Sequence, residues 1–287
     1  MTRQKPPPDG RSARAQSNRE IGLRVASGLV LAALALALVK VGSWPFLGLI
    51  AVTGTLAAWE WSGLVGGKMA KSAFAIHAVA LLCAIALTAT GQGAYGLAAL
   101  FAGTILTAVV AGSGLVAAWA GAGVLYVGLP AMALVWLRMG DASGWAAVWF
   151  LFLIVWSTDT GAYVIGRSFG GPRLAPPISP NKTWSGALGG IAISAGVAYL
   201  FALWLEGTSP AALVLVAILL SVVAEAGDLA ESAIKRRFKV KDAGHLIPGH
   251  GGLLDRVDAL LFAAVAAALL ALFRGPYEPA KALLIWP

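Results

Sequence analysis

The chain has 287 residues, 59% of them hydrophobic and only 12% charged, with a formal net charge of +8. Soluble globular domains carry about 25% charged residues, and here the shortage runs along the whole chain, so composition excludes an ordinary soluble enzyme and points to a multi-span membrane protein. The one cysteine, Cys83, lies in the apolar run HAVALLCAIALTAT and excludes an internal disulfide framework.

Residues 1–20 are Pro-rich and basic, which predicts a disordered cytoplasmic tail. The first apolar run follows this polar stretch with no clear cleavage site after it, so a signal peptide is not expected. Apolar runs then predict helices over 22–41, 44–65, 73–90, 94–111, 115–137, 145–166, 186–205, 210–227 and 253–273. Lipid leaves an isolated span no other way to satisfy its backbone. The expected fold is therefore all-α, a polytopic integral membrane protein with about nine transmembrane helices. It is read as one continuous membrane domain over 21–287, with N-terminal helices in 21–142 and catalytic helices with two cytoplasmic loops in 143–287. The 35 glycines predict close helix packing through small residues.

Lys and Arg set the orientation. Those in the tail, Lys68 and Lys71, Arg167, Arg173 and Lys182, and the cluster from Lys235 to Lys241 all fall on one side. Lys40, Arg138, Arg274 and Lys281 fall on the other. The bias predicts a cytoplasmic N-terminus. It also assigns the positive charge to topology and anionic headgroups rather than to nucleic acid. The two longest connections, about 167–184 and about 229–252, both lie on the predicted cytoplasmic side, which is therefore the expected working face.

Acidic residues inside spans are costly and mark function. Glu60, in AAWEWSGL, reads equally well as an interfacial residue snorkelling beside Trp59 and Trp61. Asp159, Glu225, Asp228, Asp255 and Asp258 are brought to one membrane face by the up-and-down order of the last spans. Asp255 and Asp258 are spaced i, i+3, as are Glu225 and Asp228, so each pair shares a helix side. Clustered carboxylates need positive charge among them, and an oxygen-only set at a polar rim suits Mg²⁺. Lys235, Arg236, Lys239 and Lys241 supply cations for a triphosphate or lipid phosphate. The glycines of PGHGG allow backbone N–H groups to approach an anion at the start of the last helix. His250 is a candidate for phosphate contact or proton transfer. No His/Cys set suits zinc.

From Ser232 to Asp258 the chain reads S-x-I-K-R-x4-K-D-x-G-x2-I-P-x-H-G-G-L-x-D-R-V-D. This resembles the signature of the phosphatidate cytidylyltransferases, the CDP-diacylglycerol synthases. The stretch STDTGAYVIGRSFGGPRLAPPISPNKTWSG, Ser157 to Gly186, also looks like that family, with Ser185 where a glutamate is common. The first five spans match only in general character. The resemblance implies transfer of CMP from CTP to phosphatidic acid, giving CDP-diacylglycerol and pyrophosphate in phospholipid synthesis. It implies Mg²⁺ held by Asp228, Asp255 and Asp258, a monovalent cation such as K⁺, and a homodimer in the cell (inner) membrane. Lys182, Lys235, Arg236 and Lys241, with Ser179, Thr183 and His250, are then the expected phosphate contacts. Asp159 and Glu225 are expected behind the metal carboxylates, with Asp159 alternatively on a second cation.

Two other readings are weaker. DGRSAR, at 9–14, opens like the motif of CDP-alcohol phosphatidyltransferases, but Leu23 stands where that motif needs glycine and no further aspartate follows before Asp141. A cation transporter would explain buried acids but not the long basic connection.

Overall fold

The computed structural model describes residues 28–66, 70–244, 246 and 251–287. The tail expectation and His250 lie outside them. Among the described residues the helices are α1 (Gly28–Val41), α2 (Ser43–Val65), α3 (Ala70–Ala89), α4 (Gly93–Ala111), α5 (Gly114–Met139), α6 (Gly144–Phe169), α7 (Trp184–Trp204), α8 (Pro210–Arg237) and α9 (Leu254–Arg274), each overlapping an expected span. A short α10 (Pro279–Leu284) follows. Seven of these, α3 to α9, are long and apolar enough to cross a membrane. In α1 the described residues form a shorter apolar helix. In α2, Glu60 and several small polar residues lower the hydropathy.

Two boundaries differ from expectation in a way that matters for the site. Hydropathy ends the eighth span near residue 227, yet α8 runs on to Arg237. Lys235 and Arg236 therefore stand on a helix, in register with Glu225, Asp228 and Glu231, rather than in a loop. A helix continues past its apolar stretch wherever its polar residues find partners, and hydropathy marks only where lipid ends. The connection after α6 likewise holds an antiparallel hairpin, β1 (Arg173–Ala175) and β2 (Ser179–Thr183), with Arg173 opposite Thr183 and Ala175 opposite Ser179.

Lipid tails are as apolar as the helices, so packing and buried hydrogen bonds hold spans together. Between α6 and α7 the means is small residues. A Cβ at Gly190 would lie 2.6 Å from the Thr158 carbonyl oxygen, and one at Gly186 would lie 2.7 Å from that of Ala162. A buried hydroxyl cluster pins α6, α7 and α8 together. Thr158 donates to Ser221 at 2.8 Å, and the Ser221 and Ser194 hydroxyls lie 2.6 Å apart. On the other side, α2, α5 and α9 meet through aromatic rings. Trp61 stacks on Tyr126 at 4.7 Å between centroids, and Tyr126 meets Phe262 edge-on at 6.0 Å. The Trp61 indole N–H donates to the Trp119 carbonyl at 2.9 Å.

These contacts give the molecule two distinct ends. At one, Asp141 accepts the N–H groups of Ala280 and Lys281, and Thr208 donates to Leu284, so α10 is tied to the turns before α6 and α8. At the other, the C-terminal parts of α2, α6 and α8 meet β2 and the N-terminus of α9. The functional side chains gather there.

Candidate active site

The C-terminal half of α8 forms the spine of the site. Glu225, Asp228, Glu231 and Lys235 recur at helical spacing along it. Glu231 is fully buried, and its Oε2 lies 2.5 Å from the Lys235 ammonium one turn on. The same Nζ reaches Asp255 Oδ1, in the first turn of α9, at 2.6 Å. One lysine thus holds two carboxylates on two helices. Lys235, Glu231 and Asp255 expose 12%, 0% and 12% of their side chains. This is a largely buried ion triad, whose attraction is far less screened than that of a surface pair.

Asp255 has further duties. Its carboxylate accepts the N–H of Ala243, at 3.0 Å to Oδ2 and 3.2 Å to Oδ1, and that of Gly252 at 3.0 Å. It therefore ties both flanks of the chain between α8 and α9 to the first turn of α9. Acidic groups favour this position, because the first N–H groups of a helix lack internal partners.

A second ion pair lies alongside. Lys182 of β2 reaches Asp228 at 2.7 Å, and Ser232 donates to the other oxygen of Asp228 at 3.4 Å. Lys182 is delivered by the hairpin, which is fixed at both ends. Thr183 caps α7 by accepting the Gly186 N–H at 3.1 Å. Ser185 donates to the Gly170 carbonyl that closes α6. Ser185 thus joins two helix ends. Arg236 Nε donates to the Ile178 carbonyl at 3.3 Å, fastening α8 to the same hairpin.

The remaining acids complete the cluster. Asp258 is buried, with Oδ1 accepting its neighbour's N–H at 2.8 Å. It stands within charge reach of Asp228, Asp159 and Glu231. Asp159 is within reach of Asp228, Lys182 and Glu225. Glu225 is half-buried, and its Oε1 has no hydrogen-bond partner among the described residues.

The structure thus gathers Asp159, Glu225, Asp228, Asp255, Asp258, Lys182 and Lys235 at one end of the bundle. Thr183 is buried as a helix cap, Ser179 lies half-buried at the start of β2, and Arg236 and Lys241 face outward. Hydropathy puts Glu231 in a loop and so hides it. Its spacing of three from Asp228 and four from Lys235 is the signal that would reveal it. Glu60 is no snorkelling interfacial residue. It is 4% exposed, and its two oxygens accept the N–H groups of Leu253 and Leu254 at 3.0 and 2.7 Å.

Chemically, the arrangement offers hard oxygen donors and ammonium groups in alternation, at the end of apolar helices. It suits a strongly anionic, phosphate-bearing reactant that has to meet a membrane. Comparisons with known proteins place the chain in a family. The family model described as "Cytidylyltransferase family" matches residues 22–273. The phosphatidate cytidylyltransferase of Brucella suis biovar 1 (strain 1330) is 51% identical over 148 residues, which is 52% of this chain and 54% of that protein. That of Bacillus subtilis (strain 168) is 43% identical over 139 residues, 48% and 52% of the two chains. That of Staphylococcus saprophyticus is 44% identical over 147 residues, 48% and 53%. The chain spans about half the length of the curated relatives it matches. With a family match that covers most of its 287 residues, this chain belongs to the cytidylyltransferase family.

Proposed function

We propose that the chain is a phosphatidate cytidylyltransferase, acting at the cytoplasmic face of the cell (inner) membrane. The observation that carries this reading is the interleaved charge array Lys182–Asp228 and Glu231–Lys235–Asp255 at the end of an apolar bundle. The names of its relatives supply the substrate pair, CTP and phosphatidic acid.

In the proposed reaction an oxygen of the lipid phosphate attacks the α-phosphorus of CTP. The bond from that phosphorus to the bridging oxygen breaks, and pyrophosphate leaves with the electron pair. The lipid phosphate is its own nucleophile, so the protein needs no Ser, Cys or His for attack. Its task is to align two anions and offset their repulsion. Lys182 and Lys235 are held in place by Asp228 and by Glu231 with Asp255, ready to share their ammonium donors with phosphate oxygens. Arg236 and Lys241, on the outward side, would attract the triphosphate. Ser179 would meet it from the hairpin. Thr183 would act chiefly by fixing the start of α7 beneath Lys182. His250 keeps its proposed phosphate contact from the sequence motif.

The lipid would approach sideways. Two adjoining grooves of about 360 and 350 Å³ run along α6 and α7. They share Leu153 and Val197 and extend from Trp149 and Trp204 towards Thr160, next to Asp159. An acyl chain in these grooves would put its headgroup at the level of the carboxylates.

The donors fit Mg²⁺. They are all oxygen, and Glu225 Oε1 is buried without a hydrogen-bond partner among the described residues. Among the described residues no group of three or more His, Cys, Asp or Glu side chains is placed to hold a metal ion by itself, so the ion would need substrate phosphates and water to complete its coordination. Asp228 and Asp258 would hold it. Asp255, whose oxygens accept Lys235, Ala243 and Gly252, would join as Lys235 turns to phosphate oxygens, with Asp159 and Glu225 behind them, or Asp159 on a K⁺ ion. When bound, the ion would neutralise triphosphate charge and stabilise the departing pyrophosphate. The same family resemblance favours a homodimer.

Purified protein given CTP, phosphatidic acid and Mg²⁺ is expected to form CDP-diacylglycerol and pyrophosphate in equal amounts. Folded protein that forms neither would refute the reading.

A further inference from the structure

The residue least expected at this site is Glu60. It comes from α2, in the half of the chain where the sequence offers no motif, yet its carboxylate reaches the start of α9 and accepts two successive backbone N–H groups, those of Leu253 and Leu254. Asp255 accepts the preceding one, from Gly252. Two carboxylates from distant parts of the chain therefore share the N-terminus of one helix. The backbone around Glu60 is shaped to it. A Cβ on Gly244 would overlap the Glu60 carboxylate, and one on Gly252 would lie 2.9 Å from its Oε2 and 2.8 Å from Asp255 Oδ2. Trp61, the next residue, is 1% exposed and is held by Trp119 and Tyr126, so the end of α2 is a rigid mount.

We propose that Glu60 is a positioning residue that fixes the first turn of α9, and with it Asp255 and Asp258, against the Lys235 spine of α8. Lys235 reaches α9 only through the Asp255 side chain, so that ion pair by itself does not fix the backbone of the first turn. A second carboxylate from α2, bonded to backbone rather than to a side chain, fixes it. The N-terminal helices then serve the reaction by holding the site's geometry, without supplying a group that touches substrate. This role rests on the functional reading above, while the anchor itself can be measured without it.

The test uses the full chain in lipid nanodiscs and two readouts. Hydrogen–deuterium exchange of residues 251–258 measures the anchor. Steady-state CMP transfer measures its consequence. Glu60→Gln keeps the size but replaces one acceptor with a donor. It should speed exchange across 251–258, leave α6 and α7 unchanged and lower kcat roughly 100-fold with little change in KM for CTP. Glu60→Asp, which keeps the charge, should recover much of the protection and part of kcat. Gly244→Ala should reproduce the Glu60→Gln pattern, and adding it to Glu60→Ala should cost nothing further, because the two act on one contact. Unchanged exchange at 251–258 in Glu60→Gln, fully additive effects in the double variant, or faster exchange with normal kcat would each overturn the proposal. Wild-type protein that transfers no CMP would overturn the functional reading instead, and exchange would then decide the anchor by itself.

Discussion

Lys235 Nζ lies 2.6 Å from Asp255 Oδ1 and so ties the last turns of α8 to the first turn of α9. The same ammonium holds the buried Glu231. Replacing this lysine by methionine removes the cation that the two carboxylates share. Breaking one partner out of a buried ion group costs about 3–5 kcal/mol. Lys235→Met is therefore expected to lower the unfolding temperature clearly in detergent and to abolish transfer. Thermal scans of matched preparations check the first part, and product assays the second.

The two aspartates of α9 should separate under substitution. Asp255 accepts N–H groups from Ala243 and Gly252 as well as Lys235. Asp255→Asn should therefore cost stability and activity together. Among the described residues Asp258 accepts the local Ala259 N–H and lies against Glu231, and Asp258→Asn keeps an acceptor for that N–H, so it should cost less stability than Asp255→Asn while activity falls by about two orders of magnitude or more. Residual turnover in Asp258→Asn should need more Mg²⁺. Chelation of wild-type protein should stop transfer, and added Mg²⁺ should restore it.

Much of this division is legible in the sequence, for definite reasons. The apolar runs locate α3 to α9, and the reversal of direction from span to span is enough to bring Asp159, Asp228 and Asp258 to one end. Hydropathy does not show that α8 continues to Arg237, since it registers lipid and not hydrogen bonding. It therefore leaves Glu231 and Lys235 in a loop, where their pairing cannot be seen. Glu60 is hidden for another reason. Its partners are backbone N–H groups nearly two hundred positions away, and no side-chain pattern encodes such a contact. The hairpin is masked by a Pro-rich connection whose strands are only three and five residues long.

Lys182 tests the difference between a structural and a working ion pair. It and Asp228 expose 25% and 30% of their side chains, and pairs this accessible contribute at most about 1 kcal/mol. Lys182→Ala should leave the unfolding temperature almost unchanged and raise KM for CTP at least about ten-fold, as expected for a lost charged contact to phosphate. A large fall in stability with normal KM would reassign Lys182 to scaffolding.

The Thr158–Ser221–Ser194 cluster should behave in the opposite way. It joins α6, α7 and α8 through buried hydroxyls, and interhelical bonds of this kind average about 0.6 kcal/mol in membranes. Ser221→Ala removes the shared member and is expected to cost about 1 kcal/mol. Transfer rates at low temperature should stay close to wild type.

The central claim, that this charged rim joins a nucleotide to a membrane lipid, is tested most directly by following two labels at once. CTP labelled at the α-phosphate and, separately, at the γ-phosphate would be given with phosphatidic acid and Mg²⁺, and lipid and aqueous phases would be counted. The account predicts that the α-label moves into the lipid phase as CDP-diacylglycerol while the γ-label stays in water as pyrophosphate, in equal amounts. An α-label that stays in the aqueous phase with folded wild-type protein, or a γ-label that enters the lipid, would contradict it.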